Sequence, residues 1–187
     1  TADGTPVAWT LRKLGYVNQE RINGPDLMHK YCDRAAANGQ KIFLYGNEES
    51  TVKRLIEKLL CRFPGLQIAG SITPPFRELS AQEDQQIVNE INDSGAQVVF
   101  VSLGCPKQEK WMAAHAGRIH AVMVGVGAAF DYHAGTIKRA PLWMQRVGLE
   151  WLYRLGSEPR RLWRRYLVTN TAFIFGAVRQ LIGSRNA

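Results

Sequence analysis

Short apolar runs alternate with longer helical patterns along most of the chain, and this alternation constrains the fold most. Helical patterns separate the runs; one begins at Ser80, where Glu83 three residues later completes a capping box. Because strands joined by helical crossovers lie parallel, the sequence predicts a Rossmann-like α/β fold, a mainly parallel sheet flanked by helices. The runs with the length and composition of strands are Lys41–Gly46, Gln67–Ile72, 97–103 and 120–126.

Net charge is concentrated in the last fifty residues. Residues 138–187 hold ten Lys or Arg and two Glu, whereas residues 1–137 hold fourteen of each sign. This basic segment predicts two helices, over residues 141–155 and 159–182, and arginines cluster in the first two turns of the second beside a broad apolar face. We therefore predict an α/β core over 1–137 and a basic helical appendage over 138–187. The appendage suits phosphates or an anionic membrane surface, with a solvated basic face as the alternative.

Composition and missing motifs narrow the class of protein. No apolar run reaches the roughly 18–20 residues that span a bilayer. Three widely spaced cysteines without a C-x-x-C pair favour reduced thiols in a cytoplasmic protein. The sequence has no G-x-G-x-x-G, Walker, D-x-D or H-E-x-x-H motif, which disfavours nicotinamide enzymes and P-loop NTPases. We expect no essential metal and no cofactor.

Two loops beyond predicted strands carry candidate binding groups, since ligands of open parallel sheets bind beyond the carboxyl ends of the strands. In residues 103–109, backbone N–H groups at a helix start together with Lys107 form a candidate anion site, and Gln108 can bind an amide, a base edge or a sugar. In residues 125–135, small residues permit close approach of a ligand beside Asp131. An ordinary strand-to-helix turn explains the first pattern equally well, whereas in the second a lone pair such as Asp131 and His133 is more often structural than catalytic. The turn Gly46–Glu48, after the first strand, is a weaker signal still.

Two charged residues near the start are ambiguous from local sequence alone. Asp3 precedes a predicted helix over residues 7–14, so it is either a cap of that helix or a general base. Arg21 has no local pattern that assigns it. The chain opens within what reads as a motif, so we expect that an N-terminal portion is missing.

Six segments, taken in order, resemble blocks of the WecG/TagA/CpsF family of bacterial glycosyltransferases and cover nearly the whole chain. They are DGTPVAW (3–9), ERINGPDL (20–27), FPGLQIAG (63–70), VSLGCPKQEKW (101–111), GVGAAFDYHAGTIKRAPLWMQRVGLEWLYRL (125–155) and EPRRLWRRY (158–166). The family pattern also has an upstream T-x-N motif, which is absent here.

The resemblance implies an inverting, metal-independent transferase that uses a UDP-sugar, of the N-acetylmannosamine type, as its donor. The acceptor would be a polyprenyl-diphosphate-linked sugar at the cytoplasmic face of the bacterial plasma membrane, and the product a teichoic acid or another cell-surface polysaccharide. Relatives that transfer glucose share the blocks, so a UDP-glucose enzyme is the first alternative. A basic nucleic-acid-binding domain is the second, although no nucleic-acid motif is legible. Assembly as a homo-oligomer stays open.

The resemblance also implies site residues. Asp3 would be the catalytic base, with Arg21 and Gln108 as further active-site residues, and arginines of the appendage would neutralise the departing diphosphate. We expect the nucleotide sugar to be bound by Gly104, Pro106, Lys107, Glu109, Gly127, Asp131, Arg154, Arg160, Arg161 and Arg164.

Overall fold

The computed structural model of the protein describes residues 2–183, apart from the side chains of residues 161 and 165. The chain divides into two compact units: residues 24–138 form a sheet unit, and residues 2–23 together with 139–183 form a helical unit. The first residues thus pack with the C-terminal helices, whereas the sequence analysis assigned them to the α/β core.

Nine helices and four strands follow one another along the described residues. In chain order they are α1 (Thr5–Lys13), α2 (Gly24–Asn38), β1 (Lys41–Gly46), α3 (Glu49–Arg62), β2 (Gln67–Ile72), α4 (Ala81–Asp93), β3 (Val98–Ser102), α5 (Lys107–His115), β4 (Val122–Gly125), α6 (Ala129–Ala134), α7 (Leu142–Arg146), α8 (Glu150–Ser157) and α9 (Pro159–Gly183).

The four strands form one parallel sheet in the order β2-β1-β3-β4, which confirms the predicted fold class. The central strands β1 and β3 are buried nearly throughout because helices cover both faces of the sheet. Residues of β1 alternate between the two faces of the sheet. Ile42 and Leu44 pack with α2, α3 and α6, whereas Phe43 and Tyr45 pack with α4 on the opposite face. The predicted capping box of α4 is present, with Ser80 and Glu83 each bonding to the backbone of the other.

The order of strands creates a crevice at one edge of the sheet. From β1 the chain moves to β2 on one side and then to β3 on the other, so the carboxyl ends of β1 and β3 form a topological switch point. Gly46 ends β1 opposite Ser102, with φ of 108°, and a Cβ atom there would lie 2.5 Å from the Ser102 carbonyl oxygen. Only glycine lets the two strand ends come this close.

The helical unit corrects one prediction. Residues 141–155 do not form a single helix but two short ones, α7 and α8, separated by a turn at Gly148. Gly148 has φ of 79°, and a Cβ atom there would lie 2.8 Å from the Thr5 hydroxyl oxygen. The left-handed backbone breaks the helical pattern and allows the turn to pack against the start of α1.

The last helix, α9, matches the predicted bounds, but its apolar residues do not share one environment. Leu162 is buried, and Tyr166, Phe173, Ala177 and Leu181 are half-buried along one stripe. The side chains that are at least half exposed include Trp163, Leu167, Ile174, Phe175 and Val178. Within residues 2–183, no helix combines the length and the apolar character that crossing a bilayer requires.

Candidate active site

A backbone hydrogen bond brings the two ambiguous N-terminal residues together in the helical unit. The N–H of Ile22 donates to the carbonyl of Ala2 at 3.1 Å, so Asp3 and Arg21 are neighbours across this contact. The N-cap of α1 is Gly4, with φ of 103°, and among the described residues no backbone N–H donates to the Asp3 carboxylate. The structure therefore does not support the helix-cap interpretation of Asp3.

A buried carboxylate holds Arg21. Arg21 Nη2 donates to Glu150 Oε2 at 2.5 Å, and Arg139 Nε donates to the other carboxylate oxygen, Oε1, at 2.9 Å. Arg21 Nη1 also donates to the Gln145 carbonyl oxygen at 3.2 Å, and Arg139 Nη2 donates to Asn23 Oδ1 at 3.2 Å. Glu150 is only 9% exposed. Although burial opposes its ionisation, the hydrogen bonds from both arginines hold the pKa of Glu150 below its usual value.

The pKa of the Asp3 carboxyl group is shifted in the opposite direction from that of Glu150. It keeps access to solvent, yet the protein packed around it raises the pKa of Asp3 above the ordinary value. Arg21 opposes this rise, Glu150 adds to it, and Arg154 opposes it again. A carboxylate of raised pKa beside guanidinium groups is suited to taking up a proton near a phosphorylated substrate.

The four predicted arginines of the appendage do not share one position. Arg154, on α8, is half-buried and close enough to affect the Asp3 carboxyl group. Arg160 and Arg164 are exposed in the first two turns of α9, and the Arg164 guanidinium lies 5.8 Å from the ring centre of Trp163. Among the described residues, no hydrogen bond or ion pair joins either of them to Asp3. The side chain of Arg161 lies outside the described residues.

A second polar cluster occupies the switch point of the sheet unit. The buried Gln108 accepts the N–H of Gly127 through Oε1 at 3.2 Å, and Ser102 Oγ donates to the Gly127 carbonyl at 2.8 Å. Asn47 follows β1 with φ of 66°, donates its N–H to the Ser102 carbonyl at 2.9 Å, and donates Nδ2 to Asp131 Oδ2 at 3.2 Å. The loops after β1, β3 and β4 are therefore tied together by side-chain amide and hydroxyl groups.

The other predicted binding residues surround the start of α5. Gly104, with φ of 74°, accepts the backbone N–H of Gln108 at 2.9 Å and so closes the turn after β3. Pro106 is the N-cap of α5, so the helix begins at Lys107, whose side chain is exposed. Glu109 is exposed as well and accepts Gln108 Nε2 at 3.0 Å.

Sequence analysis gave Asn47 only within the weak Gly46–Glu48 signal, and it did not single out Asn23, Ser102, Arg139, Gln145 or Glu150. A signal existed for Asn47 and Glu150. Asn47 follows a strand-ending glycine, and asparagine is one of the few side chains that tolerate a left-handed backbone. Glu150 is one of only two acidic residues in a strongly basic segment. Nothing local distinguishes Ser102 from an ordinary residue at the end of a strand.

The fold and the two polar clusters define the class of protein to which the chain belongs. A parallel sheet covered by helices on both faces, with polar groups at its switch point, is the architecture of α/β proteins that bind ligands beyond their strand ends. The raised-pKa carboxyl group beside arginines adds groups for acid–base chemistry, as in an enzyme. Among residues 2–183, no three His, Cys, Asp or Glu side chains are grouped to hold a metal ion.

Comparison with known proteins identifies the family within this class. The model of the glycosyl transferase WecG/TagA/CpsF family matches residues 1–187, so the chain belongs to that family. It is 35% identical over 166 residues to the N-acetylglucosaminyldiphosphoundecaprenol N-acetyl-beta-D-mannosaminyltransferase of Bacillus spizizenii strain W23. It is 34% identical to the Bacillus subtilis strain 168 protein of the same name. Each match covers 88% of this chain, and the chain spans 62% of the length of these relatives.

Proposed function

We propose that the full-length protein is an inverting glycosyltransferase that moves an N-acetylmannosamine-type sugar from a UDP-sugar to a polyprenyl-diphosphate-linked acceptor sugar. Family membership supports transfer of a glycosyl group. The names of the two Bacillus relatives support the acceptor and the mannosaminyl group. The observation in this chain that carries the proposal is the backbone bond between Ala2 and Ile22, which makes Asp3 a neighbour of Arg21. Burial raises the pKa of the Asp3 carboxyl group, although Arg21 and Arg154 oppose the rise.

In the proposed reaction Asp3 is the general base. It takes the proton of an acceptor hydroxyl while that oxygen forms a bond to the anomeric carbon of the donor sugar. The bond between the anomeric carbon and the diphosphate oxygen breaks on the opposite face, and UDP departs with the electron pair. Arg21 and Arg154 are suited to the negative charge that develops on the departing diphosphate, because guanidinium groups form paired, charge-assisted hydrogen bonds with phosphate.

We assign the nucleotide to the switch-point cluster of the sheet unit. Backbone groups at Gly104 and Gly127 permit close approach, and Lys107 supplies a positive charge at the start of α5. Asp131 accepts hydrogen bonds from Asn47 Nδ2 and more weakly from Thr136 Oγ1, so its carboxylate retains acceptor capacity for ribose hydroxyls. Glu109 is assigned a part in this site through its hydrogen bond with Gln108.

We assign the membrane contact to α9 and the protein to the cytoplasmic face of the plasma membrane. Exposed apolar side chains such as Leu167, Ile174 and Phe175 follow the first two turns of α9, which carry the exposed Arg160 and Arg164. Arginines at the anionic headgroups and apolar side chains at the acyl boundary are the groups by which an interfacial helix binds. A lipid-linked acceptor would require such a contact.

A donor screen tests the proposed function. The full-length protein is incubated with a short-chain prenyl-diphosphate-linked N-acetylglucosamine and, separately, UDP-N-acetylmannosamine, UDP-N-acetylglucosamine or UDP-glucose, and products are identified by mass spectrometry. Addition of N-acetylmannosamine is expected, with loss of the product in D3N. Addition of glucose alone would favour the UDP-glucose alternative. No product with any donor, together with a salt-sensitive gel shift on nucleic acid, would favour the nucleic-acid-binding alternative.

A further inference from the structure

We propose that Glu150 is a positioning residue for Asp3: it clamps Arg21 and Arg139 into one arrangement and places a fixed negative charge beside Asp3. This inference rests on the proposed function, in which Asp3 is the base. Glu150 is not assigned any contact with substrate. It acts through Arg21 and through its charge.

The geometry of the clamp is specific. Both carboxylate oxygens of Glu150 are used, one by Arg21 Nη2 and one by Arg139 Nε, and the residue is 9% exposed. Arg139 is itself fixed by Asn23, which lies two residues beyond Arg21 in the chain. The links from Arg21 to Glu150 and from Arg139 to Asn23 therefore join residues 21–23 to residues 139–150, beside the bond from Arg21 to the Gln145 carbonyl.

Arg21 adopts an orientation that does not satisfy all its own donors. Its Nε atom is buried and has no hydrogen-bond partner among the described residues, whereas Nη1 and Nη2 are both held, by Gln145 and Glu150. A buried donor without a partner costs free energy, so the orientation is imposed by the groups that hold the guanidinium. Glu150 is the only charged one of these groups.

Glu150 and Arg21 have opposite effects on the pKa of Asp3. Arg21 and Arg154 favour the ionised form of Asp3, and Glu150 favours the protonated form, in addition to the burial that raises the pKa of Asp3 most. Without Glu150, Arg21 and Arg154 would still lower the pKa of Asp3 and nothing in place of Glu150 would oppose them, so Asp3 would be a weaker base. A carboxylate whose pKa is raised toward the working pH is more effective in proton transfer than one with an ordinary pKa. Glu150 thus keeps arginine close to Asp3 while limiting its effect on the proton affinity of Asp3.

The decisive experiment measures Asp3 directly. Full-length protein with ¹³C-labelled aspartate carboxyl groups is titrated by NMR, and the Asp3 signal is assigned by its loss in D3N. In E150Q the midpoint of the Asp3 titration is expected to fall, because the nearby negative charge is removed and the arginines remain. E150D, which keeps the charge, is expected to titrate closer to the wild type than E150Q does.

The matched control is D84N. Asp84 accepts hydrogen bonds from Arg118 at 2.8 Å and from His115 at 2.9 Å, so it is also a carboxylate bound by two basic side chains, but it lies in the sheet unit. D84N is expected to leave the Asp3 titration unchanged. If D84N shifts the midpoint as E150Q does, or if E150Q folds and leaves the midpoint unchanged, the proposal is wrong. Should E150Q fail to fold, E150D carries the test. Its shorter side chain draws the charge back from Asp3, so a lowered midpoint supports the proposal, and an unchanged or raised midpoint contradicts it.

Kinetics give an independent readout in the same variants. E150Q is expected to lower kcat about tenfold or more, which is a fraction of the rate enhancement that general-base catalysis supplies. It is also expected to move the acid limb of the pH profile of kcat/KM to lower pH. A merely structural role would reduce the folded fraction without moving that limb. The NMR titration needs no substrate, so absence of transferase activity would overturn the proposed function while leaving the effect of Glu150 on Asp3 measurable.

Discussion

The side-chain oxygen of Gln108 accepts the backbone N–H of Gly127 at 3.2 Å, and this bond ties the start of α5 to the loop after β4. The amide nitrogen of Gln108 is held as well, by Glu109. Both polar ends of this buried side chain are therefore used within the protein. The resemblance to the family implied that Gln108 touches the sugar or nucleotide, whereas these contacts indicate that it also orders the loop in which Gly127 lies.

Replacing Gln108 with alanine is expected to loosen that loop. Q108A should weaken UDP binding about tenfold, measured by calorimetry, and should speed amide hydrogen exchange at Gly127, whose N–H loses its acceptor. The matched control is Q85A, which removes an exposed glutamine that bonds Asn89 on α4. Equal exchange at Gly127 in Q108A and wild type would contradict the role of Gln108 in holding the loop.

Replacing Asp3 with asparagine is expected to remove the proposed base. D3N should lower kcat by about 10²- to 10⁴-fold, the range that positioned general bases supply, and should abolish the acid limb of the pH–rate profile. In the wild type, activity should rise as pH rises through the raised pKa of Asp3, because only the ionised form accepts a proton. D33N, at an exposed position of α2, is the control and should leave kcat and the acid limb of the pH–rate profile unchanged.

The same carboxyl group predicts the sign of a stability effect. A carboxyl whose pKa is raised on folding favours the folded state below its unfolded pKa, and this contribution is lost as pH rises through the folded value. D3N cannot ionise, so its thermal midpoint should exceed that of the wild type near neutral pH, and the difference should shrink toward acid pH. A midpoint lower than that of the wild type at neutral pH would show that Asp3 contributes stabilising contacts instead.

Asn47 allows its backbone and side-chain roles to be separated. N47G keeps a residue that accepts φ of 66° and removes the hydrogen bond to Asp131, whereas N47A also strains the backbone. Both variants should weaken UDP binding several-fold, and N47A alone should lose about 1 kcal/mol more of unfolding free energy, measured by denaturant. If N47G binds UDP as tightly as the wild type, the bond to Asp131 has no part in nucleotide binding.

The exposed side of α9 predicts binding to anionic membranes. I174E places a charge on an apolar side chain that is 60% exposed, so it should reduce cosedimentation with phosphatidylglycerol vesicles without lowering the thermal midpoint by more than a degree or two. N170E adds the same charge at an exposed polar position of the same helix, and it separates loss of apolar contact from simple repulsion. Equal losses in the two variants would show that α9 contributes charge alone.

Much of the fold could be predicted because its signals are local. β1 and β2 have the predicted bounds, and β3 and β4 lie within the predicted runs, since alternation of apolar runs with helical patterns reflects burial on both faces of the sheet. The prediction of one helix over 141–155 was wrong because Gly148 turns the chain where it meets Thr5. That contact joins residues far apart in sequence, so the periodicity of apolar residues along the chain does not reveal it.

The sequence by itself determined the strands, the helix that Ser80 caps, the family blocks and the charge of the C-terminal part, because each depends on neighbouring residues or on composition. Tertiary structure alone decided that Arg21 reaches Glu150, 129 residues away, and that Asn47 reaches Asp131. It also decided that Asp3 does not cap α1 and that burial raises its pKa. Hydrogen bonding and desolvation depend on which atoms the folded chain brings together, and sequence spacing does not specify that.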